Sequence, residues 1–148
     1  MNRCSQTPNY IASYCDSEFR KGLKGVSESE TEQRLEAIIR LFCCLHARDV
    51  FIKSYTRYLS SRLLNKTSIS NEAEHIMLGK LKVECGHNTV NKLTHMFTDI
   101  DLSKDLMGEF KSKFKDGMIG GVEVHAEVLT GGYWPEQNSV PLKLPPDL

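Results

Sequence analysis

Two small clusters of thiols and imidazoles are the first places where chemistry could reside. Cys43, Cys44 and His46 lie close together, and Cys85 is followed by His87. Zinc takes four such ligands in a tetrahedral array. The spacing argues against it, because paired Cys-x-x-Cys is missing and adjacent Cys43 and Cys44 point to different azimuths on a helix. Small Cys side chains in a core, with His on the surface, are the commoner arrangement. A Cys85 nucleophile with His87 as base is the second option. Catalytic pairs are assembled in space rather than by adjacency, and no oxyanion-hole loop or nucleophile elbow accompanies this one. The sequence has no Gly-x-x-x-x-Gly-Lys-Ser/Thr loop and no Gly-x-Gly-x-x-Gly turn. Gly117 to Gly121 precedes a strand, the wrong order for a nucleotide. No catalytic residue, cofactor or metal is therefore assigned.

Charge is the next resource. The 148 residues carry 19 Lys+Arg and 19 Asp+Glu, a formal net charge of zero with His neutral. That balance argues against a chain built mainly to coat nucleic acid or an acidic membrane, so neither is an expected partner. It conceals two opposite patches. Arg48, Lys53, Arg57, Arg62 and Lys66 face only Asp49, a local charge of +4, whereas residues 28–36 hold four Glu and one Arg, a local −3. Lys53 and Arg57 are spaced i, i+4, as are Arg62 and Lys66, which makes these four a candidate basic surface. A solvated helix face is the commoner explanation, and an acidic partner segment steered in by charge is the functional one. Trp134, the only tryptophan, sits in Gly131-Gly132-Tyr133-Trp134-Pro135. It serves either as a local plug that pins a strand end or as an interface anchor.

These residues must be positioned by elements with a helical period. Ile11, Cys15 and Phe19 recur at i, i+4, i+8 after Thr7-Pro8, and Gly22 and Gly25 end that helix. Ser29 with Glu32 reads as a capping box for a second helix with Leu35, Ile38, Ile39, Phe42 and Leu45 on its apolar face, closing at His46-Ala47-Arg48. Asp49 caps a third, carrying Phe51, Tyr55, Tyr58, Leu59 and Leu63. Ser70 caps a fourth, with Ala73, Ile76, Met77, Leu81 and Cys85 inward and a left-handed Gly86 at its end. Val90, Leu93, Met96, Phe97 and Ile100 form a fifth stripe. Asp101-Leu102-Ser103 breaks it, and Ser103 starts a short sixth helix with Leu106, Met107, Phe110 and Phe114. Ile11, Phe19, Leu35, Ile38, Ile39, Phe42, Phe51, Tyr55, Leu59, Leu63, Met77, Leu81, Leu93, Met96 and Phe97 are the expected core.

The character then changes. Gly117, Gly120 and Gly121 mark a linker, and Val122 to Val128 alternates apolar and polar as a strand does. Ser139 to Leu148 holds three prolines and reads as extended. A lone strand leaves a row of backbone groups unpaired, so it calls for a neighbour from another chain or from a larger whole. The fold class is mostly α: an antiparallel helical bundle over residues 7–116, followed by a linker, a C-terminal β-strand and an extended loop over 117–148.

Five cysteines, an odd number without regular spacing, read as reduced thiols of a cytoplasmic or nuclear protein. Met1-Asn2-Arg3-Cys4-Ser5-Gln6 has no apolar stretch after its one cation and does not read as a secretory signal. No apolar run approaches the ~18 residues of a membrane helix. From the residues alone, a stand-alone helical protein-binding module or a small Cys/His metal-binding protein is the competing reading.

Several separated motifs resemble the cullin family. Arg48-Asp49-Val50-Phe51, Tyr55 and Leu59-Ser60-Ser61-Arg62-Leu63-Leu64 follow its K-D-V-F…Y…L-A-x-R-L pattern, with Arg48 for the usual Lys. Ser70-Asn71-Glu72-Ala73-Glu74 and Met77-Leu78-Gly79-Lys80-Leu81-Lys82-Val83-Glu84-Cys85-Gly86 resemble its next segment, and Val128-Leu129-Thr130, Gly132-Tyr133-Trp134-Pro135 and Leu144-Pro145-Pro146 a later one. The match is colinear from about Ile11 to Leu148. The Tyr-Trp-Pro form and Leu102-Ser103-Lys104-Asp105-Leu106-Met107 look nearest the cullins that use a damaged-DNA-binding adaptor. The resemblance implies a non-catalytic ubiquitin-ligase scaffold, represented here by the start of the cullin homology region and truncated at both ends. It implies a RING-box protein as partner, taking up a strand beside Val122, Val124, Ala126, Val128 and Leu129 with Trp134 nearby. Lys53, Arg57, Arg62 and Lys66 would then face an acidic tail of a ubiquitin-conjugating enzyme.

Overall fold

The computed structural model describes residues 6–114, 118–119 and 122–135. Cys4, Gly117, Gly120, Gly121 and the proline-containing stretch from Ser139 to Leu148 lie outside them. Five helices follow in order: α1 Thr7–Ser17, α2 Glu28–Cys43, α3 Arg48–Asn65, α4 Asn71–Cys85 and α5 His87–Lys113. A π-turn, Glu18–Gly22, extends α1. Strands β1 Met118–Ile119 and β2 Val122–Glu123 follow α5. The chain is mostly helical, as its apolar periodicity requires. Packing divides it into two compact units, Met1–Thr94 and His95–Leu148.

In the first unit α1 packs on α3 and α2 on α4, with α1–α2 and α2–α3 contacts joining the two pairs. The stripes predicted from sequence are the faces that meet. Every residue expected in the core is buried. Phe42 and Phe51 join α2 to α3 with ring centroids 4.9 Å apart, and Phe51 stacks on Tyr55 at 5.9 Å. The π-turn leaves the Phe19 carbonyl to accept from the Ile69 N–H at 2.9 Å. This ties the α3–α4 connection to the end of α1.

The helix ends correct several expectations. Ser27, not Ser29, caps α2: its hydroxyl accepts from the Glu30 N–H. Two overlapping Ser-x-x-Glu patterns run through this stretch, and the first one holds the helix start. Helix α2 stops at Cys43 rather than at Arg48. Helix α3 begins with Ala47 at its N-cap and no side-chain cap bond, so Asp49 lies in its first turn instead. Ser70 caps α4 as expected, accepting from the Ala73 N–H at 3.1 Å, a bond worth about 1 kcal/mol over Ala at that position. Gly86 has φ 78 and ψ 168. This is not the left-handed helical conformation anticipated but a region open essentially to Gly alone. One such residue turns α4 directly into α5.

Helix α5 is continuous over 27 residues, about 40 Å at 1.5 Å per residue. The break expected at Asp101-Leu102-Ser103 is absent. Ser103 is buried inside the helix instead of capping a new one. The expected inward face of the last turns is not buried either, since Leu106 and Phe114 are exposed. No helix among the described residues is long and apolar enough to cross a membrane.

The β-structure also differs. Strand β2 is only two residues long, and it has a neighbour in its own chain. It pairs antiparallel with β1 in the register Met118↔Glu123 and Ile119↔Val122. Residues 124–130 are not strand. Side chains of α5, described next, bond the backbone of Val128 and Thr130.

Candidate functional site

Cys15, Cys43 and Cys85 are placed without activation. Cys15 is buried, and burial pushes its thiol far above the ordinary range. Burial also raises Cys43, whose thiol donates to Glu84 Oε2 at 3.1 Å, and it raises Cys85. A nucleophilic cysteine needs a lowered pKa, so the Cys85–His87 option has no support in this geometry. No disulfide joins Cys15, Cys43, Cys44 or Cys85. Among the described residues no three His, Cys, Asp or Glu side chains are grouped to hold a metal ion.

The basic patch separates into two parts. Lys53, Arg57 and Lys66 are exposed, and Lys53 and Arg57 lie one turn apart on α3. Lys66 ends α3 in a left-handed conformation, φ 53. Arg62 does not belong with them. Its side chain is 0% exposed and forms the polar centre of the first unit.

Arg62 Nε and Nη2 donate to the two carboxylate oxygens of Glu74 at 2.6 and 2.9 Å, and Nη1 donates to Asp16 Oδ1 at 2.6 Å. The guanidinium lies over Phe19 at 4.7 Å and Tyr55 at 5.5 Å from the ring centroids. Glu74, also fully buried, accepts further from Ser68 Oγ at 2.8 Å and from the Tyr55 hydroxyl at 3.4 Å. Burial opposes the charge on Arg62, but the bonds and charge of Glu74 outweigh it and hold the guanidinium protonated. The network joins α1, α3 and α4 through one side chain. A surface reading of Arg62 overlooked its place on the apolar face, three residues past Leu59 and next to Leu63. That spacing was the available signal.

The second unit carries the residues singled out for strand pairing. Val122, Ala126, Val128 and Leu129 are exposed, whereas Val124 and Trp134 are half-buried. What holds this run is a ladder on α5 at one-turn spacing: His95, Asp99 and Ser103. Ser103 Oγ accepts from the Val128 N–H at 2.7 Å and donates to the Val128 carbonyl at 3.1 Å. Asp99 accepts from the Thr130 N–H and hydroxyl, both at 2.8 Å, and from the Trp134 indole N–H at 2.7 Å. Tyr133 stacks on His95 with centroids 4.2 Å apart. Residues 128 to 133 thus run antiparallel to α5. Burial by itself would raise the Asp99 carboxyl. The three bonds from Thr130 and Trp134, helped by His95, overcome this and hold it below its ordinary range.

Trp134 therefore pins the end of this segment, as the plug reading expected. Sequence reasoning gave Asp99 no positioning role and read Ser103 as the start of a new helix. Their i, i+4 spacing beside Met96 and Ile100 marks polar groups within a buried face, and such groups need partners.

Comparison with known proteins agrees with these motifs. Residues 1–107 match a family model described as the cullin alpha solenoid domain. Over the whole chain the sequence is 41% identical to Cullin-3 of Dictyostelium discoideum and 37% identical to Cullin-3A of Arabidopsis thaliana. It spans 19% and 20% of those two proteins, about a fifth of their length. Neither carries the name of the damaged-DNA-binding-adaptor class to which the Tyr-Trp-Pro form pointed. Family match, full-length similarity and helical architecture converge, and the chain belongs to the cullin family.

Proposed function

We propose that this chain is a non-catalytic scaffold segment of a cullin-RING ubiquitin ligase, and that its Val122–Leu129 run receives a strand from a RING-box protein. Family membership supports the scaffold role. The strand role rests on one observation: a run with Val122, Ala126, Val128 and Leu129 exposed has two residues in a ladder and is held to α5 through Ser103 at Val128. Extended segments with open edges recruit strands by β-augmentation. On this reading residues 7–116 supply the bundle and 117–148 begin an α/β domain. Exposed Lys53, Arg57 and Lys66 offer a face to an acidic tail of a ubiquitin-conjugating enzyme, and the complex works in cytoplasm and nucleus.

Hydrogen–deuterium exchange with and without a RING-box protein tests the strand assignment. Slowed exchange is expected over residues 122–129 at saturating partner. Binding that leaves exchange there unchanged contradicts it.

A further inference from the structure

We infer that Asp99 and Ser103 form a helix-borne latch that positions the Val122–Leu129 segment for its partner by fixing Val128, Thr130 and Trp134 on α5. The inference rests on the strand-docking role proposed above but concerns residues outside the docking segment. Both latch side chains are buried, and each makes more than one bond to the same segment. Ser103 satisfies both backbone groups of Val128, as a neighbouring strand residue would. Asp99 satisfies the Thr130 amide and hydroxyl and the Trp134 indole. Together they set which residue of the segment lies over which turn of the helix. A one-residue slip would take the Val128 backbone off Ser103 and Thr130 off Asp99, and so change which residues of the segment stand at the α5 surface. Asp99 and Ser103 are thus positioning residues, whose effect on docking passes through the segment they hold.

The chemistry of Asp99 supplies a discriminating variant. Asn is isosteric, and its oxygen can accept from both N–H groups of Thr130 and Trp134. Its amide can then donate to the Thr130 hydroxyl, which turns to accept. Asp99→Asn therefore keeps the latch without its charge, whereas Asp99→Ala removes it.

Trp134 is the only tryptophan, so its emission reports the latch with no partner present. In the full chain, Asp99→Ala is expected to move that emission to longer wavelength and to weaken RING-box binding about tenfold or more, a change of ~1.4 kcal/mol. Helical ellipticity stays unchanged. Asp99→Asn is expected to stay within about twofold of the unaltered chain in affinity. Thr130→Val, which leaves α5 untouched, moves emission and affinity in the same direction by less. It decides the matter if Asp99→Ala loses its helical signal.

Unchanged emission in Asp99→Ala overturns the latch, and displaced emission with unchanged affinity overturns its positioning role. An Asn variant that behaves as Ala overturns the hydrogen-bond basis. Failure of the unaltered chain to bind a RING-box protein refutes the strand-docking reading and the positioning role with it, while Trp134 emission still decides whether the latch exists.

Discussion

Replacing Arg62 with alanine is expected to destabilise the fold by about 3–5 kcal/mol and to lower the thermal midpoint by about 10 °C. Glu74 has no solvent exposure, and Asp16 has little. Removing the guanidinium leaves the Glu74 carboxylate buried without its countercharge, and the remaining donors, Ser68 and Tyr55, are neutral. The loss of packing over Phe19 and Tyr55 adds to this. Replacing the pair together, Arg62→Met with Glu74→Met, should restore much of the loss, because no buried charge is then stranded. Thermal unfolding followed by circular dichroism measures both variants. Lys53→Ala and Arg57→Ala, on the same helix but exposed, should stay within about 0.5 kcal/mol. An Arg62→Ala chain as stable as these two would show that the network does not organise the unit.

Leu81→Asp is expected to abolish cooperative unfolding altogether. Leu81 is fully buried on α4, one turn from the equally buried Met77. The substitution loses the burial of the leucine and places a carboxylate at a position with no solvent exposure, where an unpaired charge is costly. The combined cost, about 5 kcal/mol or more, is comparable to the whole stability of a domain this size. Val83→Asp is the matched control, since Val83 is 82% exposed two residues further on. Urea melts of the two variants should show one without a transition and one close to the unaltered chain. A cooperative Leu81→Asp transition near the original midpoint would refute the packing of α4.

These two positions show what the sequence could convey. Leu81 was legible because a period of 3.6 residues separates inner from outer faces, and Val83 falls on the outer one. Arg62 was not legible in the same way. Its charge placed it in a basic run, while its azimuth placed it with Tyr55 and Leu59, and only its contacts with Glu74 and Asp16 decide between the two. The same conflict produced the false break in α5. Asp and Ser favour helix starts because their side chains compete for backbone groups. In α5 Ser103 turns that capacity toward Val128, distant in sequence, and the helix continues through it. The alternation at Val122–Val128 read as one strand, but only Val122 and Glu123 are strand. It could not show that Met118–Ile119 pairs with its first two residues, because that stretch is too short for a period to register. The cullin motifs, by contrast, were readable as words, and family comparison agrees with them.

Sizing-column co-elution of the purified 148-residue chain with a RING-box protein tests the scaffold reading most directly. A stable one-to-one complex, lost in Asp99→Ala and retained in Asp99→Asn, is the expected result. Separate elution of the two proteins at micromolar concentration would contradict it, because the bundle and its latched segment would then not suffice to dock the RING-box protein.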